Sequence, residues 1–130
     1  MDIKKLYKLY LENFLVATDT RKISKGSIYF ALKGENFNGN KFAEEALSKG
    51  ANYSIVDEKE YQTSDHIILV KNVLSTLQEL AKFHRQQLQL PIIGLTGSNG
   101  KTTTKELINA VLSKKHVTAA TRGNLNNHIG

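Results

Sequence analysis

The sequence lacks cysteine altogether and has a single proline among its 130 residues. The absence of cysteine excludes disulfide bonds, a thiolate nucleophile and any cysteine metal site. No apolar run approaches the roughly 20 residues that a membrane-spanning helix needs. The N-terminal residues 1–14 mix lysine and glutamate with apolar residues, which is not the pattern of a secretory signal. These absences are compatible with a cytoplasmic protein, which is the location we expect.

Composition and charge favour a folded domain with an acidic small-molecule partner. Hydrophobic residues make up 40% of the chain and charged residues 23%, as in globular domains. The formal net charge is +6, but the lysines are scattered and the closest clusters are pairs such as Lys4-Lys5 and Lys114-Lys115. Because no stripe of basic and aromatic residues is present, we favour attraction for a phosphorylated small molecule over nucleic-acid binding.

The first 90 residues alternate between helical and strand-like patterns, which predicts an α/β domain. Turn residues separate the segments, and glycines bound the longest loop. Asp2 is suited to cap the first helix, Asn40 to cap the second, and Gly50 to end the second. The predicted elements are a helix at 3–15, a polar turn at 18–21, a strand at 28–33, a loop at 34–39, a helix at 40–49, strands at 53–56 and 67–70, and a helix at 73–88.

Pro91 marks the predicted domain boundary, so that residues 1–90 form one domain and residues 91–130 belong to a second. The strand-like run 92–95 precedes a glycine-rich loop, and the helix that follows places its apolar residues on one face. Residues 116–120 are predicted to form another strand. The second segment is therefore predicted to be a strand–loop–helix–strand unit with a parallel, right-handed crossover.

The glycine-rich loop has the features of a phosphate-binding loop. Gly97 and Gly100 allow the backbone to curl closely around a ligand, and the helix that follows directs its first N–H groups and its dipole toward an anion. Lys101 supplies a mobile positive charge, and the Thr102 hydroxyl is suited to bind Mg²⁺. The loop is a variant, because Leu95 stands where the general pattern has glycine. The alternative interpretation is a glycine-rich turn beside an exposed lysine.

Three segments resemble the Mur ligases, which build the peptide stem of bacterial cell-wall precursors. Residues 96–103, Thr-Gly-Ser-Asn-Gly-Lys-Thr-Thr, resemble the ATP loop of that family. Asp19-Thr20-Arg21, together with Gly26 and residues 28–34, resembles its N-terminal nucleotide-sugar domain. Residues 123–130 are similar to a segment of the members that use D-alanyl-D-alanine. The three blocks occur in the family's order and cover essentially the whole chain.

The resemblance implies an N-terminal UDP-N-acetylmuramoyl-peptide-binding domain followed by the opening of a parallel-sheet ATP-binding domain. It implies a three-domain parent enzyme, of which this chain would be an N-terminal fragment that is inactive alone. The parent would activate the carboxylate of UDP-N-acetylmuramoyl-tripeptide with ATP and Mg²⁺, and D-alanyl-D-alanine would attack the acyl phosphate. We expect the incomplete second unit to pack on the first, to remain mobile, or to self-associate.

The resemblance also assigns residues to the nucleotide sites. Lys101 would be catalytic and Thr102 would bind the metal. The ATP loop would comprise Gly97, Ser98, Asn99, Gly100, Lys101, Thr102 and Thr103. The uridine pocket would be lined by Thr20, Arg21, Glu35, Asn36 and Phe37, with Phe37 offering a ring face for stacking. The alternative is that Asp19 and Arg21 merely pair within a turn and that Phe37 belongs to the core.

Asn124, Asn126 and Asn127 are further candidates for substrate binding, because three amides follow a predicted strand end in a parallel sheet. Asparagine also favours turns, which is the alternative interpretation. The four histidines lie far apart, without acidic residues at ligand spacing, and are interpreted as structural or exposed: His66, His84, His116 and His128.

Two other functions remain open from the sequence. One is a related amide ligase, which adds the third stem residue or extends folate with glutamate. The other is a non-catalytic nucleotide-binding module that uses the same loop.

Overall fold

The structure is a computed structural model that describes residues 2–121, and the chain divides into two units, Met1–Leu88 and Gln89–Gly130. Short 3₁₀ helices in the first unit span Thr20–Lys22, Gly39–Phe42 and Lys59–Tyr61. The main elements of the first unit are α1 (Ile3–Asn13), β1 (Val16–Ala17), β2 (Ile28–Phe30), β3 (Lys33–Gly34), β4 (Phe37–Asn38), α2 (Ala43–Ser48), β5 (Tyr53–Val56), β6 (Ile67–Leu69) and α3 (Val73–Gln87).

Four strands form a parallel sheet in the order β1-β2-β5-β6. In its register Val16 lies opposite Ile28, and Ile28 lies opposite Tyr53. The strands β3 and β4 form a separate antiparallel hairpin, with Lys33 opposite Asn38 and a two-residue loop at its tip. All four loops at the carboxyl ends of the parallel strands therefore emerge at one edge of the sheet.

Both faces of the sheet are covered, as a parallel sheet requires. Successive side chains of a strand point to opposite faces, and β2 shows this clearly. Ile28 and Phe30 belong to the buried cluster that includes α1 and α3 residues, whereas Tyr29 belongs to the cluster that includes α2 residues. The first unit is thus a three-layer α/β/α domain, which confirms the predicted fold class.

The start of α1 is set by a side-chain cap and its end by the backbone conformation of one residue. The Asp2 carboxylate accepts a hydrogen bond from the backbone N–H of Lys4, so the predicted cap of α1 is confirmed. Helix α1 ends at Asn13 rather than Leu15, because Phe14 adopts a left-handed conformation that turns the chain toward β1. The predicted helix at 73–88 is observed as α3.

Two predictions in the middle of the first unit were wrong in detail. The strand predicted over 28–33 ends at Phe30, because Lys33 already pairs with Asn38 in the hairpin. The second helix is not capped by Asn40. Instead the Asn38 side chain accepts from the backbone N–H of Asn40 at 3.0 Å, since a 3₁₀ turn precedes α2 and moves the cap upstream.

The second unit contains helix α4, Lys101–Leu112, which begins directly after Gly100. The strands predicted at 92–95 and 116–120 are not observed. A strand needs a partner to bond its backbone groups, and neither segment has a partner strand within residues 2–121. Many apolar residues of this unit are exposed, including Ile92, Ile93, Leu95, Leu107, Val111 and Val117.

Candidate functional site

The carboxyl edge of the parallel sheet brings together most of the polar residues predicted for the nucleotide-sugar pocket. Thr20 and Arg21 follow β1, and the β3–β4 hairpin, with Glu35, Asn36 and Phe37, follows β2. Strands β1 and β2 are hydrogen-bonded neighbours, so the two loops leave adjacent positions. Open parallel sheets bind ligands at this edge.

The loop after β1 is organised by Asp19. Its carboxylate accepts from the backbone N–H of Arg21 at 2.9 Å and pairs with the Arg21 guanidinium at 2.7 Å. These hydrogen bonds, with that of the Arg21 side chain the strongest, lower the pKa of Asp19 to about 2. The pair proposed as the alternative interpretation is therefore present, yet the Arg21 side chain is 84% exposed and its outer face is accessible to a ligand.

Thr20 is oriented toward helix α2. Glu45 of that helix has a lowered pKa, chiefly because Lys49 hydrogen-bonds to it, and a hydrogen bond from Thr20 adds to the effect. The threonine side chain therefore lies close to the Glu45 carboxylate.

The β3–β4 hairpin presents its tip to solvent. Glu35 and Asn36 are exposed, and Phe37 is 52% exposed. One face of the Phe37 ring stacks on Phe42, with centroids 5.3 Å apart and planes at 10°. The interpretation that Phe37 is a core residue is therefore wrong, because the ring is packed on one side only. Its accessible surface suits stacking against a planar base.

The base of the hairpin is held by two carboxylates that follow β5. Lys33 on β3 contacts Asp57 at 2.9 Å and Glu58 at 3.0 Å. Asn38 on β4 donates to Glu58 at 3.0 Å. Both strands of the hairpin are therefore tied to the same pair of acidic residues.

Asp57 is the centre of this network. Its side chain is only 6% exposed, and it accepts hydrogen bonds from the Asn40 side chain at 3.0 Å and from the backbone N–H of Val73 at 3.2 Å. Burial opposes ionisation of Asp57, but the hydrogen bonds from Lys33, Asn40 and Val73 outweigh it and lower its pKa. The fully buried Asn40 also accepts from the Asp57 backbone N–H at 2.9 Å.

Gly39 joins the hairpin to the rest of the domain at close range. A Cβ atom at this position would lie 2.4 Å from the Leu32 carbonyl oxygen, so only glycine fits. The Gly39 N–H donates to that oxygen at 3.0 Å, and the Gly39 carbonyl accepts from the Tyr29 hydroxyl at 3.2 Å. Burial raises the pKa of Tyr29 to about 12.

The phosphate-binding loop lies in the second unit. Gly97 has φ of 146° and Gly100 has φ of 76°, which are conformations that other residues rarely adopt. Gly100 is the N-cap of α4, so the first-turn N–H groups of a 12-residue helix follow the loop directly. Lys101 bends back, and its Nζ donates to the Gly97 carbonyl oxygen. This geometry suits the binding of a phosphate group.

The structure gives less support for a preformed metal site. Residues 2–121 contain no group of three or more His, Asp or Glu side chains that could hold a metal ion. Thr102 is exposed in the first turn of α4, so a cation there would take its remaining ligands from phosphate oxygens and water. Three candidates for substrate binding, Asn124, Asn126 and Asn127, lie outside the described residues, as does His128.

The other histidines make structural contacts or are exposed. The ring of His66 stacks on Tyr53, and its Nδ1 donates a hydrogen bond of 2.9 Å to the Asn52 carbonyl oxygen. His84 shares a hydrogen bond of 3.1 Å with the Tyr7 hydroxyl. His116 is exposed after α4. Within residues 2–121, no helix is long and apolar enough to cross a membrane.

Comparison with protein families gives two adjacent matches. Residues 15–91 match the family described as Mur ligase family, catalytic domain. Residues 95–130 match the family described as Mur ligase middle domain.

Individual relatives agree with the family matches. A Bacillus subtilis protein named UDP-N-acetylmuramoyl-tripeptide–D-alanyl-D-alanine ligase is 45% identical over 88% of this chain, and its Escherichia coli counterpart is 42% identical over 88%. The crystal structure of MurF ligase from Thermotoga maritima in complex with ADP matches 86% of this chain with a TM-score of 0.75 and 36% identity. The chain spans about a quarter of these relatives, 26%, 25% and 26% of their respective lengths.

Proposed function

The chain belongs to the Mur ligase family, and we propose that it is the N-terminal part of an ATP-dependent ligase that joins D-alanyl-D-alanine to UDP-N-acetylmuramoyl-tripeptide. The observation that carries the proposal is the loop before α4, in which two glycines with positive φ lead into Lys101 at a helix start. Relatives of that name, between 36% and 45% identical to this chain, support the choice of substrates. Because the proposed reaction uses ATP and a UDP-linked substrate, we expect it to take place in the cytoplasm.

The two units would bind different parts of the reactants. In the first unit, Thr20 and Asn36 would hydrogen-bond to the uracil edge and Phe37 would stack on its face. Arg21, whose guanidinium is exposed, would attract the diphosphate. Glu35 would accept a hydrogen bond from the ribose hydroxyls at the hairpin tip. Asn124, Asn126 and Asn127 remain proposed substrate-binding residues.

In the second unit, residues 97–103 would hold the phosphates of ATP. Backbone N–H groups at the start of α4 would donate to phosphate oxygens, and Gly97 and Gly100 would let them approach. Lys101 already lies against the loop, because its Nζ donates to the Gly97 carbonyl oxygen. Its charge would offset the negative charge that grows on the transferred phosphoryl group, and Thr102 would bind Mg²⁺.

The chemistry of such a ligase is carboxylate activation followed by aminolysis. Bound ATP would supply the phosphoryl group that converts the substrate carboxylate into an acyl phosphate. The amine of D-alanyl-D-alanine would then form the amide and release phosphate. The residues present in this chain contribute positioning and charge neutralisation, which are the main sources of catalysis in phosphoryl transfer.

Nucleotide binding is tested by titration calorimetry of the chain with Mg²⁺-ADP. We expect Lys101→Ala to abolish measurable binding, because it removes the loop's positive side chain. Lys114→Ala is the matched control, since Lys114 is an exposed lysine beyond the far end of α4. Equal affinity of the wild type and Lys101→Ala would contradict the assignment of the loop.

Binding of the UDP moiety is tested by NMR with UDP. We expect the amide shift changes to cluster in residues 18–39, on the loops after β1 and β2. Shift changes confined to residues 97–103 would contradict the proposed pocket.

The ligase is distinguished from a non-catalytic nucleotide-binding module by complementation. The chain is mixed with the C-terminal remainder of the Bacillus subtilis relative, and amide formation is measured with ATP, UDP-N-acetylmuramoyl-tripeptide and D-alanyl-D-alanine. Activity that depends on Lys101 supports the ligase, whereas nucleotide binding without amide formation favours the module.

A further inference from the structure

The hairpin that carries Glu35, Asn36 and Phe37 has few apolar contacts of its own, so something else must fix its orientation. Two-stranded hairpins are at best marginally stable in isolation. Here the Phe37 ring is packed on one side only, against Phe42, and the tip is exposed. Apart from the hydrogen bond between Tyr29 and Gly39 at its end, the polar contacts of the hairpin converge on the two carboxylates after β5.

These contacts form a chain from the core to the hairpin. The Asp57 carboxylate accepts hydrogen bonds from the backbone N–H of Val73, at the start of α3, and from the Asn40 side chain. It then contacts Lys33 on β3 at 2.9 Å. Its neighbour Glu58 contacts the same lysine and also Asn38 on β4, both at 3.0 Å. Both strands of the hairpin are therefore connected to the start of α3 and the end of β5.

We propose that Asp57 is a positioning residue for the uridine nucleotide, because through Lys33 and Asn40 it holds the β3–β4 hairpin in the orientation that the ligand binds. Asp57 itself is too deeply buried to contact the ligand, since its side chain is only 6% exposed. Its effect is on preorganisation: without the Lys33 link, the hairpin samples other orientations and the ligand must select the competent one. This inference rests on the proposed binding of UDP at the hairpin.

The expected change in UDP affinity depends on the fraction of molecules whose hairpin is in the orientation that binds UDP. If loss of the link reduces that fraction to about one tenth, the apparent Kd for UDP rises about tenfold, since apparent affinity scales with the competent population. The intrinsic contacts at the tip are unchanged. A variant without the link should therefore show increased mobility at residues 35–37 when no ligand is bound.

The test compares matched lysine variants of the full chain. Lys33→Met removes the link at the hairpin. Lys82→Met is the matched control, because it removes an exposed lysine of α3, a helix to which no ligand contact is assigned. We expect Lys33→Met and Asp57→Asn to raise the Kd for UDP, measured by calorimetry, about tenfold, Lys33→Arg to restore it, and Lys82→Met to leave it unchanged.

A separate readout distinguishes positioning from general stability. NMR relaxation of free Lys33→Met should show increased mobility at residues 35–37, whereas the amides of β2 and β5 should keep their wild-type shifts. Unchanged UDP affinity in Lys33→Met, or equal losses in Lys33→Met and Lys82→Met, would overturn the proposal while leaving the UDP site intact. Absence of UDP binding by the wild type would overturn the proposed function instead, and this inference with it.

Discussion

The structures of the two units depend on different kinds of interaction. The first unit closes a parallel sheet between helices and buries two hydrophobic clusters. The second unit has the helix α4, in which no residue is buried. Yet the phosphate loop of the second unit is already curled, because its conformation depends on Gly97 and Gly100 and on the start of α4. A phosphate loop can thus be specified locally, whereas a sheet edge that binds a ligand requires contacts between distant segments.

Hydrogen exchange should show the largest difference between the units. A folded domain is stabilised by roughly 0.05–0.15 kcal/mol per residue. Hydrogen exchange at the amides of β2 and β5 in the first unit should therefore be slowed at least about a thousandfold. An isolated helix of about 12 residues is marginal in water, so amides of α4 should exchange close to the unprotected rate. Exchange measured by mass spectrometry at low concentration checks this. Equal, strong protection in a proven monomer would show that the second unit is self-sufficient.

Truncation of a core side chain should affect the first unit far more than the second. Phe30 is fully buried in the cluster with α1 and α3, and Phe30→Ala should lower the free energy of unfolding by about 3–5 kcal/mol. Val111→Ala on α4 removes a side chain that is 71% exposed and should change stability by less than about 0.5 kcal/mol. Urea denaturation followed by NMR signals of each unit measures both. A comparable loss from Val111→Ala would mean that α4 is packed in solution.

Glycine substitution gives a second matched pair. Gly39→Ala places a Cβ atom 2.4 Å from the Leu32 carbonyl oxygen and should cost about 1–3 kcal/mol, as overpacking does. Gly94→Ala, in the second unit, adds a Cβ atom with no heavy atom within 4 Å, and should change stability by less than about 0.5 kcal/mol. Thermal denaturation compares the two. Tolerance of Gly39→Ala would show that the hairpin can move away from Leu32.

The smallest expected effect concerns the loop after β1. A carboxyl whose pKa is lower in the folded than in the unfolded state stabilises the fold above its unfolded pKa, and that contribution is lost as the pH falls toward the folded pKa. For Asp19 the window runs from 3.8 down to about 2. The stability change should be small, because the pair with Arg21 is at the surface.

The pKa of Asp19 tests the pair with Arg21 more directly than the stability of the protein does. Arg21→Gln should raise the pKa of Asp19 from about 2 toward 3.8, because it removes the strongest hydrogen bond to the carboxylate. Carbon-13 NMR of the carboxyl group follows the titration. Arg85→Gln on α3 is the control and should leave Asp19 unchanged. An unaltered titration in Arg21→Gln would show that the pair does not persist in solution.

The local elements of the fold are predictable from sequence because each has a local signal. Asp2 starts α1, and the apolar runs at 53–56 and 67–70 correspond to β5 and β6. Strand β1 was missed, since two residues are too few to show a period. The hairpin was predicted as a loop, because the pairing of Lys33 with Asn38 has no distinct sequence signature.

The supporting network of the candidate site was also missed. The resemblance to the family assigns roles to Glu35 and Phe37 but none to Asp57 or Glu58. A signal for them exists, because an acidic pair follows a buried strand at the carboxyl edge of a parallel sheet. Their partners, Lys33 and Asn40, are 17 or more residues away in sequence, so the contacts become visible only in the fold. The strands predicted at 92–95 and 116–120 are not observed, because neither segment has a partner strand within residues 2–121.

The hydrogen bond between Tyr29 and Gly39 has a practical consequence. The sequence contains no tryptophan, so its five tyrosines dominate near-ultraviolet absorption and fluorescence. Tyr29 is buried, and its hydroxyl donates to the carbonyl of the residue that follows β4. A shift of the hairpin therefore changes the surroundings of a native chromophore. Ligand binding that moves the hairpin can be followed by tyrosine fluorescence in unlabelled protein.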